Sequence, residues 1–450
     1  MKKALIVMLV LTFGVGAVAQ AQMLTWDPWT TSGTPPSPRK GHAAVVVPAV
    51  DSIFVFGGQD RTGLLNDLYV LRAAGYSHVW AQLQPRGTPP SQRAGHSMIL
   101  VPSRNRILVF GGYTSSGRCL NDLWALDSLA TGGHWVLLSP GGTPPTPRAE
   151  HTAVYDSSYD RMILYAGRDS VPNPLADLWA LDSVSIGNGR WRQLSPVGTP
   201  PPPRFDHSAA YYSYFRHMIV FGGRNTSGAL ADLYSLDLTT PEGTWSSWNP
   251  GGQAPSARYA HVATYSFSFY GMMFLFGGQS DSTHFFGDTY TLDTQWNRET
   301  LPFSPAPRSQ MPVVPGLISP LWSILEIIGG ALGDSLANDV WSLASINAVE
   351  ERGNRAETED GFGFTISPNP TSGTCRITDA STSTERFLIY NLSGQLIRSL
   401  NPGENKRSEK VITLYWDGRD DRGETVIGGV YFIKKAGDFR SAIRKVVILR

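Results

Sequence analysis

One phrase returns six times along this chain, and its period limits the possible folds more than any other feature. It reads GTPPSPRKGH, GTPPSQRAGH, GTPPTPRAEH, GTPPPPRFDH, GQAPSARYAH and, in its most worn copy, SPAPRSQ. An arginine keeps the phase, at Arg39, Arg93, Arg148, Arg204, Arg258 and Arg308, with a period of 50 to 56 residues. His42, His96, His151, His207 and His261 each follow by three positions, and Met311 stands at the sixth place. Every unit then continues alike. An apolar run ends in small residues (FVFGG at 54–58, LVFGG at 108–112, LYAG at 164–167, then IVFGG, FLFGG and IIGG). After a polar loop comes an Asp-hydrophobic-aromatic triplet starting at Asp67, Asp122, Asp177, Asp232, Asp288 or Asp339, and then Trp80, Trp135, Trp191, Trp245 or Trp296.

Four short strands per unit, punctuated by Gly and Pro, is the pattern of a propeller blade. Composition agrees: 46 Gly, 32 Pro and 11% aromatic against only 17% charged residues describe a turn-rich, all-β chain. Its 450 residues exceed what one ordinary core organises. The glycine pairs after apolar strands, the aromatic after the polar loop and the downstream tryptophan resemble the kelch repeat family over roughly residues 24–345. That resemblance implies a six-bladed kelch-type β-propeller, in a family that commonly binds partners on the loop face.

The sixth unit has no tryptophan after Trp341, which leaves it one strand short. Trp26 precedes Arg39 by thirteen residues, the same offset as Trp80 to Arg93 and Trp135 to Arg148. Residues 24–29 are therefore expected as the outer strand of the last blade, paired near 339–343, which removes an exposed edge and joins the ends of the ring.

Lys2 and Lys3, an apolar run over 4–18 and small residues at Ala17, Ala19 and Ala21 read as a signal peptide, 1–21. No other run has membrane length, so no transmembrane segment is expected after cleavage. A net charge of +1 without a Lys/Arg cluster gives nucleic acid no footing. Cys119 and Cys375 fall in different domains and form no disulfide framework.

A chemical site needs one of each group in one place, so the repeated arginines and histidines read as architecture, holding backbone carbonyls and neighbouring blades. Zn–N bonds of about 2.0–2.1 Å are too short for one histidine per blade around a channel, so no metal and no cofactor is expected. Function should sit where the units differ, in the loops after the glycine pairs. Arg61, Tyr113, Arg118, Arg168, Arg224, Asn225, Asp281, His284 and Phe285 are the binding candidates there. Glu150 and Asp206 stand where the first two units have Gly41 and Gly95. They read as rim salt bridges to Arg168 and Arg224, as part of a polar pocket, or as the only candidate catalytic carboxylate pair, since glycosidases use two about 5–9.5 Å apart. No nucleophile elbow, zinc motif or phosphate loop is present.

After the repeats, 346–361 reads as a charged linker and 362–450 as a small β-sandwich, with apolar or alternating runs at 364–366, 386–390, 395–400, 411–416, 429–434 and 442–449. The segments SPNPTSG, IYNLSGQLIRSL, WDGRDDRGETVIGGVYFIK and KVVIL resemble the immunoglobulin-like sorting domains of type IX secretion and the related flagellar hook-capping domain. This second resemblance implies recognition of 362–450 by an outer-membrane export machine, and secretion or surface display by a Gram-negative bacterium. Two functions fit: a binding protein for a protein or glycan, or a carbohydrate-active enzyme (hydrolase, lyase or isomerase) on the same ring.

Overall fold

The computed structural model describes residues 22–347 except 75–76, 214, 267–271, 302 and 317–322. Beyond these it describes 364–367, 371, 373–379, 386–391, 396–401, 407–408, 411–426, 429–435 and 443–448. The signal peptide and positions 348–361 of the expected linker lie outside the described residues, as does the Tyr390 side chain.

The described chain is all-β, with three short 3-10 turns and no α-helix. Each repeat builds one antiparallel sheet. In the third, Thr152–Asp156, Arg161–Tyr165, Leu178–Asp182 and Arg190–Leu194 pair in sequence order. The apolar run is the second strand. It is buried along its whole length because sheets cover both its faces, which is why it reads as continuous apolar sequence and not as an alternation. The innermost strands touch in order, Ala43–Val47, Ser97–Val101, Thr152–Asp156, Ser208–Tyr212, Val262–Ser266 and Val313–Pro315, and the last touches the first.

The sheet of the sixth repeat takes its outer strand from the other end of the repeat region. Gln22–Pro28 pairs antiparallel with Ser335–Asn347, with Trp26 opposite Leu343. The Trp26 ring is fully buried, lies 4.9 Å from Phe276 of the fifth repeat, and donates its indole N–H to Thr289 Oγ1 at 2.9 Å. The same contact recurs between neighbouring sheets, Trp135 on Phe56, Trp191 on Phe110, Trp245 on Tyr165 and Trp296 on Phe221, at 5.0–5.2 Å. Each tryptophan is thus the bolt between its own sheet and the preceding one.

A further tie was not expected from sequence. Thr31–Gly33 adds as a parallel strand to the outer strand Ser77–Leu83 of the next sheet, and Val197–Gly198 does so to Thr244–Ser247. Gly33 adopts φ +79°, and a Cβ there would lie 2.2 Å from the Trp80 carbonyl oxygen. Only glycine fits so close a strand approach.

In the C-terminal region two four-stranded sheets, one with Cys375–Asp379 and Val411–Trp416 at its centre and one with Phe387–Asn391 and Gly429–Lys435, bury one shared core. Trp416 meets Tyr431 in that core, ring centroids 5.2 Å apart. The strand Cys375–Asp379 is absent from the sequence expectation. Its alternation of buried Cys375, Ile377 and Asp379 with exposed Arg376 spans only five residues.

Candidate functional site

The six arginines organise the loop face. Arg148 has no exposed surface; its Nε donates to the Thr146 carbonyl, Nη1 to the Ala166 carbonyl at 3.0 Å, and both Nη groups to Asp177 at 2.7 Å. The same fork recurs as Arg39–Asp67, Arg93–Asp122, Arg204–Asp232, Arg258–Asp288 and Arg308–Asp339. The aspartate is the first residue of the Asp-hydrophobic-aromatic triplet, so two separately repeated motifs are one bidentate ion pair. The arginine carbonyls in turn accept from the glycine of the preceding repeat: Gly58 N–H to Arg93, Gly112 to Arg148, and so on until Gly330 donates to Arg39 at 3.0 Å.

Two residues after each arginine the backbone turns into the left-handed region, at Gly41, Gly95, Glu150, Asp206, Ala260 and Gln310, with φ between 54° and 65°. Their amides form a closed circuit. Gly95 donates to the Gly41 carbonyl, Glu150 to Gly95, Asp206 to Glu150, Ala260 to Asp206, Gln310 to Ala260, and Gly41 to Gln310, all at 2.7–3.0 Å. The circuit and the five histidines line an axial cavity of about 170 Å³.

Sequence divergence around this circuit creates the candidate site. The residue after each glycine pair forms a bridge to the residue after each arginine, which brings Tyr113, Arg168 and Arg224 inward. Arg168 grips Glu150 in a bidentate pair, 2.6 and 3.1 Å, and lies over the Tyr113 ring at 5.2 Å. Arg224 binds Asp206 at 2.8–2.9 Å between the rings of Phe205 and Tyr259, 4.6 and 4.4 Å away. An open recess of about 510 Å³ beside them is lined by Glu150, Arg168, Phe205, Arg224, Asn225 and Thr226, together with Pro172.

The electrostatics are uneven. Burial, and next the Glu150 carboxylate, pushes the Asp206 carboxyl well above the usual carboxylate range in spite of Arg224. The same two causes push the Tyr113 hydroxyl up to about 12. Burial, with the adjacent arginine second, holds His42, His96, His151 and His261 neutral down to about 3 and His207 well below its ordinary value.

Tyr113, Glu150, Arg168, Asp206, Arg224 and Asn225 therefore come together. Arg61, Asp281 and His284 stand exposed at loop tips, Arg118 is exposed in the turn between Tyr113 and Cys119, and Phe285 is half-buried in a bridge to Gln279. Asp281 accepts from the amides of Thr283 and His284 in its own turn, which holds its carboxyl at about 2. Phe205 and Tyr259 were missed in the sequence; the signal was their shared place directly after Arg204 and Arg258. Cys119 is buried beside Arg168, its Sγ 3.7 Å from the Arg168 carbonyl oxygen, and Cys375 is a second buried free thiol. Among the described residues no group of His, Cys, Asp and Glu has metal-binding geometry, and no helix is long and apolar enough to cross a membrane.

Repeated four-stranded sheets, bolted by tryptophan and pinned by an Arg–Asp fork, define a propeller-type repeat protein. The chain belongs to the kelch repeat family: the KLHDC2/KLHL20/DRC7 Kelch-repeats domain matches residues 16–185, 129–242 and 183–351. Acyl-CoA-binding domain-containing protein 5 of Arabidopsis thaliana is 30% identical over 250 residues, 53% of this chain and 36% of that protein. Host cell factor 1 of Homo sapiens is 32% identical over 266 residues, 55% of this chain and 12% of that protein. The chain thus spans well under half the length of these relatives. The solved structure of YjhT superposes with a TM-score of 0.52 at 15% identity over 68% of this chain and 95% of that one, a likeness of fold.

Proposed function

We propose that residues 22–347 form one six-bladed propeller that binds a protein or glycan partner on the face carrying Arg168 and Arg224. The blade count is supported by two circuits of backbone hydrogen bonds that each return to their start after six repeats. The binding reading rests on Arg224. A buried carboxylate fixes it, two aromatic rings flank it, and 34% of its side chain stays open beside the recess. A preorganised arginine among aromatics, already partly desolvated, is the kind of group that anchors interfaces. Protein–protein association is a common use of kelch repeats, which favours the protein partner. The test is a glycan array together with affinity capture of surface proteins, comparing wild type with Arg224→Ala. The variant should lose at least tenfold in affinity, about 1.4 kcal/mol; equal binding by both would refute the assignment of this face.

Residues 362–450 are proposed as a sorting domain that, with signal peptide 1–21, takes the protein to the medium or the outer surface of a Gram-negative cell. Support comes from the SPNPTSG and WDGRDDRGE segments and from the paired four-stranded sheets. Mass spectrometry of the termini in supernatant and outer membrane tests it; full-length protein held in the periplasm would overturn it. A second reading, a carbohydrate-active enzyme, is favoured by one observation: burial, and next the neighbouring Glu150 carboxylate, raises the proton affinity of Asp206, as a general acid requires. Turnover of a glycan panel, lost in Glu150→Ala/Asp206→Ala, would establish it.

A further inference from the structure

Arg224 is held differently from the fork arginines. Arg204, one of the six, donates to two backbone carbonyls, those of Pro202 and Gly222, as well as to its aspartate. Arg224 has Asp206 alone. Its Nε and Nη2 both reach the single oxygen Oδ2, at 2.9 and 2.8 Å, and among the described residues nothing engages Nη1. The rings of Phe205 and Tyr259 steady the cation but supply no oxygen acceptor. Asp206 is deeply buried, whereas a third of the Arg224 side chain, 34%, is open beside the recess. Two further donors line that recess. Asn225 Oδ1 accepts the Ser227 amide, which orients the side chain and leaves its NH2 unengaged among the described residues, and Thr226 brings an exposed hydroxyl. The recess carboxylate, Glu150, is neutralised by its bidentate pair with Arg168.

We propose that the recess beside Arg224 is a proton-gated site for a sulfate group, free or as an ester on a glycan, closed by ionised Asp206 and opened when Asp206 takes up a proton. It rests on the binding role proposed above for this face and adds its ligand chemistry and its control. While Asp206 is ionised it consumes the charge of Arg224. Once protonated, it leaves the guanidinium without its only anionic partner, and the fork of donors turns to the nearest oxygens it can find in the recess. A sulfate offers several oxygens to the guanidinium, the Asn225 amide and the Thr226 hydroxyl, and keeps its charge throughout the range in which a carboxyl titrates. The charged groups facing Asp206 are Glu150, Arg168 and Arg224, Tyr113 is the adjoining phenol, and the imidazoles that share the axial cavity are neutral. Burial, and next Glu150, raises the Asp206 carboxyl, so the gate works above the ordinary carboxylate range. Anion and proton therefore bind together: sulfate affinity falls as pH rises, and sulfate binding draws a proton from solvent.

The full-length protein can be titrated calorimetrically with sodium sulfate at constant ionic strength, in two buffers of different ionisation enthalpy. Saturable binding with proton uptake, about tenfold tighter at about pH 6 than at about pH 8, is the expected result. Asp206→Asn should bind sulfate equally at both pH values and without proton uptake; if it fails to fold, proton uptake by the wild-type protein decides. Arg224→Gln should not bind at either pH. Glucose 6-sulfate, with glucose as control, distinguishes the sources: binding of both sulfates indicates an ester on a glycan, and binding of inorganic sulfate alone a free ion. No saturable sulfate binding, wild-type affinity that ignores pH, or binding that survives in a folded Arg224→Gln protein would each overturn the proposal. No partner enters these titrations, so silent sulfate alongside a partner that is lost in Arg224→Ala overturns the gated site and leaves the binding face standing.

Discussion

Arg148 buries a full set of guanidinium donors and gives each of them an acceptor, so its stability rests on Asp177 staying ionised and in place. Asp177→Asn keeps the volume but removes the charge beneath a buried cation, and should cost about 3 kcal/mol by urea denaturation, near the low end for breaking a buried pair because Asp177 keeps some exposure. The arginine and the aspartate were each visible as repeats, 28 to 31 residues apart; their pairing was not, because sequence period says nothing about which way a side chain turns. Histidine is more dispensable. Met311 takes its place in the last repeat, and His96 has no hydrogen bond to lose. His96→Met should therefore fold with an unfolding midpoint close to wild type, and acid unfolding should take up one proton fewer, measurable as a shallower dependence of stability on pH.

At the level of strands, Gln22–Pro28 was legible because Trp26 keeps the thirteen-residue offset of the other outer-strand tryptophans. Trp26→Ala empties a fully buried site and breaks the bond to Thr289, for an expected loss of about 3–5 kcal/mol. An unchanged thermal midpoint would mean that the strand adds little to the sixth sheet. The parallel additions at Thr31–Gly33 and Val197–Gly198 were illegible, since two or three residues of turn composition carry no alternation to read. Gly142→Ala probes the same device elsewhere: the new Cβ would sit 2.2 Å from the Trp191 carbonyl oxygen, so the outer strand must move and the midpoint should fall.

Acid should destabilise the molecule as a whole before most of its carboxylates are titrated, Asp206 excepted. The folded state holds five histidines neutral, most of them down to about 3, whereas the unfolded chain protonates them near 6.5. In that window the unfolded state binds more protons, so stability is highest above pH 6.5 and declines steadily as pH falls. Burial opposes ionisation of Asp122 and Asp177, but the hydrogen bonds from Arg93 and Arg148 outweigh it and keep both carboxyls low. Their stabilisation is present above the ordinary carboxylate range and is lost as pH drops through it, the same direction. Urea midpoints that stay flat from pH 7 to 4 would show that the imidazoles accept protons in place. Repeat arithmetic made the overall architecture readable. It left the site only half readable, because Phe205, Tyr259 and the grip of Arg168 on Glu150 depend on how neighbouring repeats face one another. The indole of Trp26 finds its hydroxyl 263 residues further along the chain. During synthesis strand Gln22–Pro28 must wait for the sixth repeat before it has its partner, so formation of the sixth sheet is a slow, late event, and a chain stopped before it carries an open edge ready to pair with another molecule.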